Sequence, residues 1–206
     1  MGIENFLMFG ITALVFIITP GLDTVFVLNK SISQGRSSGA YAALGINAGV
    51  MVHTLFAALG LSFLIAQSPY AYLAIKYLGA AYIIYIGIRQ LITIDKSGSM
   101  IYPNPISSVK RNFISGFWTN VLNPKVALFF LAFFPQFINP EQIKNPVPFL
   151  ILGLSYALMG VVWYLCLSYF AGAFAQKSHN NSKVSIWINK TSGVLFILMG
   201  IAIAFQ

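Results

Sequence analysis

The chain is a succession of long apolar stretches separated by short polar ones, which is the pattern of a multi-pass membrane protein. A membrane-spanning helix needs about 20 predominantly apolar residues. Because every stretch of this length is a candidate span, we predict an all-α integral membrane protein whose single transmembrane domain occupies residues 1–206. The six candidate stretches are approximately 5–28, 39–66, 70–92, 113–138, 147–175 and 186–205.

The composition supports the membrane assignment and argues against an enzyme. Hydrophobic residues make up 58% of the chain and charged residues 8%, against roughly 45–50% and 25% in a soluble domain. The polar remainder is too short for a soluble catalytic domain, and the sequence contains no His-Glu-x-x-His or Cys-x-x-Cys motif. We therefore expect neither enzymatic activity nor a cofactor or metal site.

Two short features refine this view. The segment Met1 to Asn5 carries no basic residue, and the region around Asp23 lacks a small-residue cleavage pattern, so we expect the first apolar stretch to be a span rather than a secretory signal. The single cysteine, Cys166, can form neither a disulfide framework nor a cysteine metal site. We predict that it is a small core residue.

The net charge of +8 is distributed in a way that predicts topology rather than nucleic-acid binding. With six spans, the loops after the first, third and fifth share one side of the membrane, and the other side holds only Lys76 and Lys144. This positive-inside bias places the basic side in the cytoplasm and both termini outside. The nine basic residues of that side are Lys30, Arg36, Arg89, Lys96, Lys110, Arg111, Lys177, Lys183 and Lys190.

A polar linker at about 93–112 separates two halves, 1–92 and 113–206, with three apolar stretches each. An odd number of spans per half means that two related halves would have opposite orientations, so we predict an inverted repeat. Weak internal matches agree with it: at an offset of 104 they are Pro20 with Pro124, Phe26 with Phe130 and Gly49 with Gly153, and at 113 Gly87 with Gly200.

The first stretch of each half contains a proline beside a charged residue. These segments are Thr19-Pro20-Gly21-Leu22-Asp23 and Asn123-Pro124-Lys125. Proline removes a backbone donor and glycine tolerates non-helical dihedrals, so we predict that both helices are broken near the middle of the membrane. Asn123 and Pro124 also resemble a helix start, which would direct the positive end of a half-helix inward. A plain kink satisfied by neighbouring helices is the alternative at each position.

These residues resemble a known family over nearly the full length of the chain. The family is the LysE/RhtB family of bacterial amino-acid exporters, whose usual Pro-Gly-Pro is replaced here at the third position by Leu22. The resemblance implies ion-gradient-driven export of an amino acid or a close derivative. The matching motifs are Thr19-Pro20-Gly21-Leu22-Asp23, Gly35-Arg36-Ser37-Ser38-Gly39, Gly45-Ile46-Asn47-Ala48-Gly49, Tyr77-Leu78-Gly79-Ala80-Ala81-Tyr82 and Asn120-Val121-Leu122-Asn123-Pro124-Lys125.

Asp23 and Lys125 are the leading site candidates, because an ionisable residue within a span is costly and usually has a function. Asp23 could bind a substrate ammonium or take up a periplasmic proton in exchange for substrate. Lys125 could be its counter-ion or bind the substrate carboxylate. A fixed pair that only joins the two helices is the alternative. Asn120, Asn123 and Thr19 are polar neighbours that could orient an amino acid.

His53 shares a helix face with Gly45 and Gly49 that can pack closely on another helix. It could relay protons or form a structural hydrogen bond. A metal-ion or other small-solute exporter is the competing function, although Asp23 and His53 alone are too few ligands for a selective metal site. A passive channel would not need the charged pair. The small-residue faces leave a homodimer open.

Overall fold

The computed structural model of the chain describes residues 2–61, 69–92 and 108–171, together with eight positions between 190 and 204. Throughout these ranges the chain is almost wholly helical. The extended contact within them is an isolated antiparallel bridge between Ile3 and Ile138. The predicted all-α class is therefore confirmed.

Seven α-helices lie in the described ranges, and two of them continue into a different helical form. A π-helical segment, Phe56–Leu61, extends the third helix, and a 3-10 segment, Phe134–Phe137, extends the sixth. A further 3-10 turn covers Pro140–Gln142. The α-helices are α1 (Phe6–Ile18), α2 (Leu22–Gln34), α3 (Arg36–Leu55), α4 (Pro69–Ile92), α5 (Val109–Val121), α6 (Pro124–Phe133) and α7 (Pro146–Tyr169).

Two candidate spans are single helices and two are bent pairs of helices. By length and hydropathy, Arg36–Gly60 and Pro146–Tyr169 could each cross a membrane, and α1 with α2 and α5 with Pro124–Phe137 pass the same test as pairs. The members of these pairs meet at 53° and 51°. Helix α4 has 24 residues, about 36 Å at 1.5 Å per residue, which matches a hydrocarbon core of about 30 Å.

The predicted stretches agree with these helices in position but not at every boundary. Helix α2 continues to Gln34, six residues past the predicted end of the first stretch at 28. Helix α5 begins at Val109, so the last four residues of the predicted linker are helical. Residues 93–107 and most of the sixth stretch, 186–205, lie outside the described residues.

Glycines allow the central helices to approach closely within the chain. A side chain at Gly45 or Gly49 of α3 would collide with the backbone of α5 at Phe113 or Phe117, and one at Gly153 of α7 would collide with Thr54. Backbone contact of this kind is typical of small residues in membrane helices. These small-residue faces are thus used inside the molecule and do not argue for a homodimer.

The two ends of the helix assembly differ in charge. At one end Asn112 donates to Gln34 at 3.2 Å, which brings the start of α5, with Lys110 and Arg111, to the end of α2. At the other end Asn139 donates to Glu4 at 2.9 Å. Lys110 and Arg111 therefore lie at the end of the assembly opposite to Glu4.

Cys166 does not lie in the core. It is exposed on α7, and it follows Leu154, Leu158 and Val162 at steps of four residues along one outward face. The apolar neighbours of Cys166 in sequence suggested burial, but in a membrane protein apolar residues also cover the surface that faces lipid. The prediction of a core cysteine was wrong for that reason.

Candidate functional site

The first break lies between Ile18 and Leu22, where α1 ends and α2 begins. Pro20 has no N–H, so the carbonyl of Phe16, four residues earlier, loses its helical donor. Thr19 and Gly21 are extended, and no side chain caps the start of α2. The break therefore leaves backbone carbonyls available inside the molecule.

Lys125 supplies the missing donor from the other half of the chain. Its Nζ donates to the carbonyl oxygens of Phe16 at 3.4 Å and Thr19 at 3.2 Å. The same ammonium lies 4.5 Å from the centroid of the Phe16 ring, within the range of a cation–π contact. A side chain of the second break thus completes the hydrogen bonding of the first.

The second break lies between Val121 and Pro124 and has a well-formed helix start. Asn123 caps α6 by accepting from the backbone N–H of Lys125 at 3.1 Å, and Pro124 occupies the first helical position. This is the arrangement that the sequence predicts, because asparagine is a strong cap and proline fits a position whose N–H has no helical acceptor.

Pro124 also frees the carbonyl of Asn120, four residues before it. That oxygen accepts from the Asn123 N–H at 2.9 Å and lies 3.0 Å from His53 Nε2. Because a carbonyl only accepts, the His53 contact requires a hydrogen on Nε2. His53 therefore adds a second contact to a carbonyl that the second break already satisfies by itself.

Asp23 is buried in the first turn of α2, with 6% of its surface exposed. Its Oδ2 accepts from Asn120 Nδ2 at 2.8 Å. Its Oδ1 accepts no hydrogen bond from the described residues. The carboxylate is consequently held on one side and retains acceptor capacity on the other.

A small cavity lies between the two breaks and α7. Its volume is about 10 Å³, which is enough space for about one water molecule. Apolar walls come from Phe16 and Val126. The polar lining consists of Thr19, Asp23, Thr24, Asn123, Lys125, Tyr156 and Tyr164.

The predicted site residues take three kinds of position. Those that line the cavity are Thr19, Gly21, Asp23, Asn123 and Lys125. Pro20 and Pro124 lie at the two helix breaks. Asn120 and His53 form a layer behind Asp23, in which Asn120 touches the carboxylate and His53 touches Asn120.

Tyr156 and Tyr164 were missed by sequence reasoning. They lie eight residues apart on α7, and so on one helix face, together with Gly160. This spacing was the available signal. It is weak, because tyrosines are common in apolar helices.

The segment from Gly35 to Gly39 has the Gly-x-Ser-x-Gly spacing of a hydrolase nucleophile elbow. That motif acts where a strand turns into a helix. Here it joins α2 to α3, Gly35 adopts a φ of 89°, and Ser37 is exposed away from the cavity residues. The segment is a glycine turn between two helices and lacks the strand that precedes the nucleophile in that motif.

A helical membrane protein whose broken spans meet at a charged internal cavity has the architecture of a transporter. The LysE type translocator family model matches residues 14–206, and the chain belongs to this family. No solved structure matches the chain.

Among its relatives is the uncharacterised membrane protein YrhP of Bacillus subtilis, which is 36% identical over 92% of this chain and 93% of that protein. An uncharacterised membrane protein of Pseudomonas aeruginosa is 28% identical over 99% of this chain and 96% of its own length. The leucine efflux protein of an Enterobacter species is 29% identical over 95% of this chain and 93% of its own. The chain is therefore a multi-pass membrane transporter rather than a member of an enzyme family.

Proposed function

We propose that this protein is a secondary-active exporter of a neutral amino acid or close derivative across the bacterial cytoplasmic membrane, driven by proton influx. The observation that carries the proposal is the cavity lined by both Asp23 and Lys125. An amino acid has one ammonium and one carboxylate on the same carbon. A carboxylate and an ammonium on one small cavity are complementary to that pair of charges.

The remaining lining favours a substrate without a third charge. Phe16, Val126 and Tyr156 contribute rings and methyl groups to the walls, and Asp23 and Lys125 are the one carboxylic acid and the one amine among the described lining residues. A further charged group on the substrate would find no opposite charge there. The leucine efflux relative points to the same class of substrate.

The described conformation is closed around this site. A cavity with room for about one water cannot hold an amino acid, so the breaks must separate from α7 during transport. Helix breaks suit this movement because their backbone bonds are not part of a continuous helix. The same cavity could then open alternately to each side of the membrane.

Proton coupling is assigned to Asp23. It is the buried carboxylate of the described residues, since Glu4 and Glu141 are exposed near one end of the assembly. A carboxylate that lines the cavity can take up a proton from the outside and release it to the cytoplasm in alternation with substrate occupancy. Its open Oδ1 gives a proton a place to bind.

We place the basic end of the assembly in the cytoplasm and both termini outside, following the positive-inside rule. Reporter fusions test this orientation. Alkaline phosphatase fused to the C-terminus should be active. A fluorescent protein that is fused to the C-terminus and exported by the same route should not fluoresce. The opposite pattern would overturn the orientation and the inverted-repeat interpretation with it.

The function is tested by export itself. Cells that express the protein should resist toxic levels of the amino acid that it exports. Testing a panel of amino acids in this way identifies the substrate. Proteoliposomes should then accumulate that amino acid against its gradient when a pH gradient is imposed. Resistance to none of the panel, or uphill transport without a pH gradient, would contradict the proposal.

Export of a metal ion is the alternative. Asp23, which lines the cavity, and His53, which lies behind it, are linked through Asn120 and are both metal-ligating residue types. The described residues contain no group of three or more histidine, cysteine, aspartate or glutamate side chains that could hold a metal. Uptake of zinc, cobalt or manganese into proteoliposomes would favour this alternative over amino-acid export.

A further inference from the structure

The contacts of the Lys125 ammonium define a small binding site that belongs to the first break. The site consists of the Phe16 carbonyl, the Thr19 carbonyl and the Phe16 ring face, and we call it the ammonium cage. Each of its three groups attracts a cation, and none comes from the helix that carries Lys125. The cage is therefore a cation site that the first break forms by itself.

We propose that the ammonium cage is the subsite for the primary ammonium of the substrate, and that Lys125 is its tethered occupant when no substrate is bound. The inference rests on the proposed amino-acid export, and it names which atoms recognise the amine. Carbonyl oxygens need donated hydrogens, so the cage selects a primary ammonium over a quaternary one.

The exchange is chemically balanced. The Lys125 ammonium and the α-ammonium of an amino acid are the same group, with one positive charge and three N–H donors. When one replaces the other, the cage keeps its charge and its hydrogen bonds. The displaced Lys125 stays on the same cavity, where the substrate carboxylate and Asp23 are its available partners. Substrate binding and Lys125 movement are thereby linked.

Gly21 supports the proposal that the Lys125 ammonium and the substrate ammonium occupy the same space in turn. A Cβ at this position would lie 3.4 Å from Lys125 Nζ. The backbone there is extended, with φ of −154°, which any residue can adopt. The absence of a side chain at Gly21 leaves the approach to the ammonium clear.

Chemical rescue tests the cage. Lys125→Ala removes the three carbons and the nitrogen that make up n-propylammonium, so that ion should refill the cage in the purified variant. We expect n-propylammonium chloride to raise the thermal unfolding midpoint of Lys125→Ala by several degrees, because a ligand that binds only the folded state stabilises it. Tetramethylammonium chloride and 1-propanol should not.

The matched controls are the wild type, whose cage is occupied, and Lys144→Ala, which removes an exposed lysine. Neither should respond to n-propylammonium. L-leucinamide, with a primary ammonium on an amino-acid frame, should stabilise Lys125→Ala, and N-acetyl-L-leucinamide should not. An equal response of all three proteins to n-propylammonium, or no difference between the two amides, would overturn the proposal.

If Lys125→Ala does not fold without an added amine, the yield of folded protein is measured instead, in cells grown with n-propylammonium or with 1-propanol. Rescue by the amine alone supports the cage, and no rescue by either overturns it. These measurements require no transport. Failure of the cage would therefore leave amino-acid export standing, and failure of export in proteoliposomes would leave the binding result standing.

Discussion

The two helix breaks have the same cause but different local structure. At each break a proline removes the donor of the carbonyl four residues earlier, at Phe16 for Pro20 and at Asn120 for Pro124. The second break satisfies its backbone groups with its own residues, through the Asn123 cap and the hydrogen bond from the Asn123 N–H to the Asn120 carbonyl. The first has no side-chain cap, and a residue of the second break, Lys125, satisfies its carbonyls.

This difference assigns different tasks to the two breaks. A break that closes its own hydrogen bonds can keep its geometry while its surroundings move. A break that borrows a donor can exchange that donor for a ligand. We infer that the first break binds and releases the substrate, and that the second holds Lys125 and Asn120 in position.

The largest expected effect belongs to Lys125→Ala. The variant loses two hydrogen bonds from a charged donor, each contributing about 1.5–3 kcal/mol, and it leaves the cage empty. We expect uphill export to fall to the level of empty vesicles. Membrane insertion should persist, because removal of a charge lowers the insertion cost.

Flux in proteoliposomes with an imposed pH gradient measures this loss, with Lys144→Ala as the matched control and membrane yield as the insertion readout. Normal export by Lys125→Ala would show that the first break does not need a donor from the second. The division of tasks between the breaks would then be wrong.

A smaller effect is expected at His53. His53→Leu removes the side chain that approaches the Asn120 carbonyl. Because that oxygen still accepts from the Asn123 N–H, we expect a stability loss of about one hydrogen bond, about 0.5–1.5 kcal/mol. His53→Gln keeps a donor, so it should recover most of the lost thermal stability. If His53→Gln instead restores stability but not uphill export, His53 is a proton relay and the second break is not merely structural.

Asn123→Ala tests the cap that makes the second break self-sufficient. Loss of an asparagine cap costs about 0.5–2 kcal/mol, and we expect a drop of that size in stability with a proportionate loss of export. Asn123→Asp and Asn123→Ser, which can both cap, are the controls. Equal behaviour of Asn123→Ala and Asn123→Ser would show that the cap contributes little.

Gly21→Ala should have the smallest effect. The backbone at Gly21 accepts alanine, and the new Cβ would only touch the Lys125 ammonium at 3.4 Å. We expect wild-type stability and a modestly weaker apparent affinity for substrate in counterflow. An unchanged affinity would indicate that substrate does not pass beside Gly21.

The features that the sequence predicts well are those set by local chemistry. Proline in a helix interior removes a backbone hydrogen bond and kinks or breaks the helix, and asparagine before proline is a strong helix start. The breaks between Ile18 and Leu22 and between Val121 and Pro124 follow from these rules. Apolar length likewise places the helices to within a few residues.

The features that it does not predict depend on packing between distant segments. The acceptors of Lys125 are backbone oxygens more than 100 residues away, and no side-chain pattern marks a backbone oxygen. Tyr156 and Tyr164 join the site only because α7 lies against the first break. The inverted repeat remains a prediction, and the positions of the freed carbonyls at Phe16 and Asn120, 104 residues apart, fit it.

The central claim is that Asp23 couples proton influx to amino-acid export at the first break. Asp23→Asn preserves the size of the side chain and an oxygen for the Asn120 amide, but it cannot exchange a proton. The measurement is amino-acid flux in proteoliposomes under an imposed pH gradient and in gradient-free counterflow, for wild type, Asp23→Asn and the exposed control Glu141→Gln. We expect Asp23→Asn to lose uphill accumulation and to retain slow counterflow, while Glu141→Gln behaves as wild type. Accumulation against the gradient by Asp23→Asn would contradict the claim.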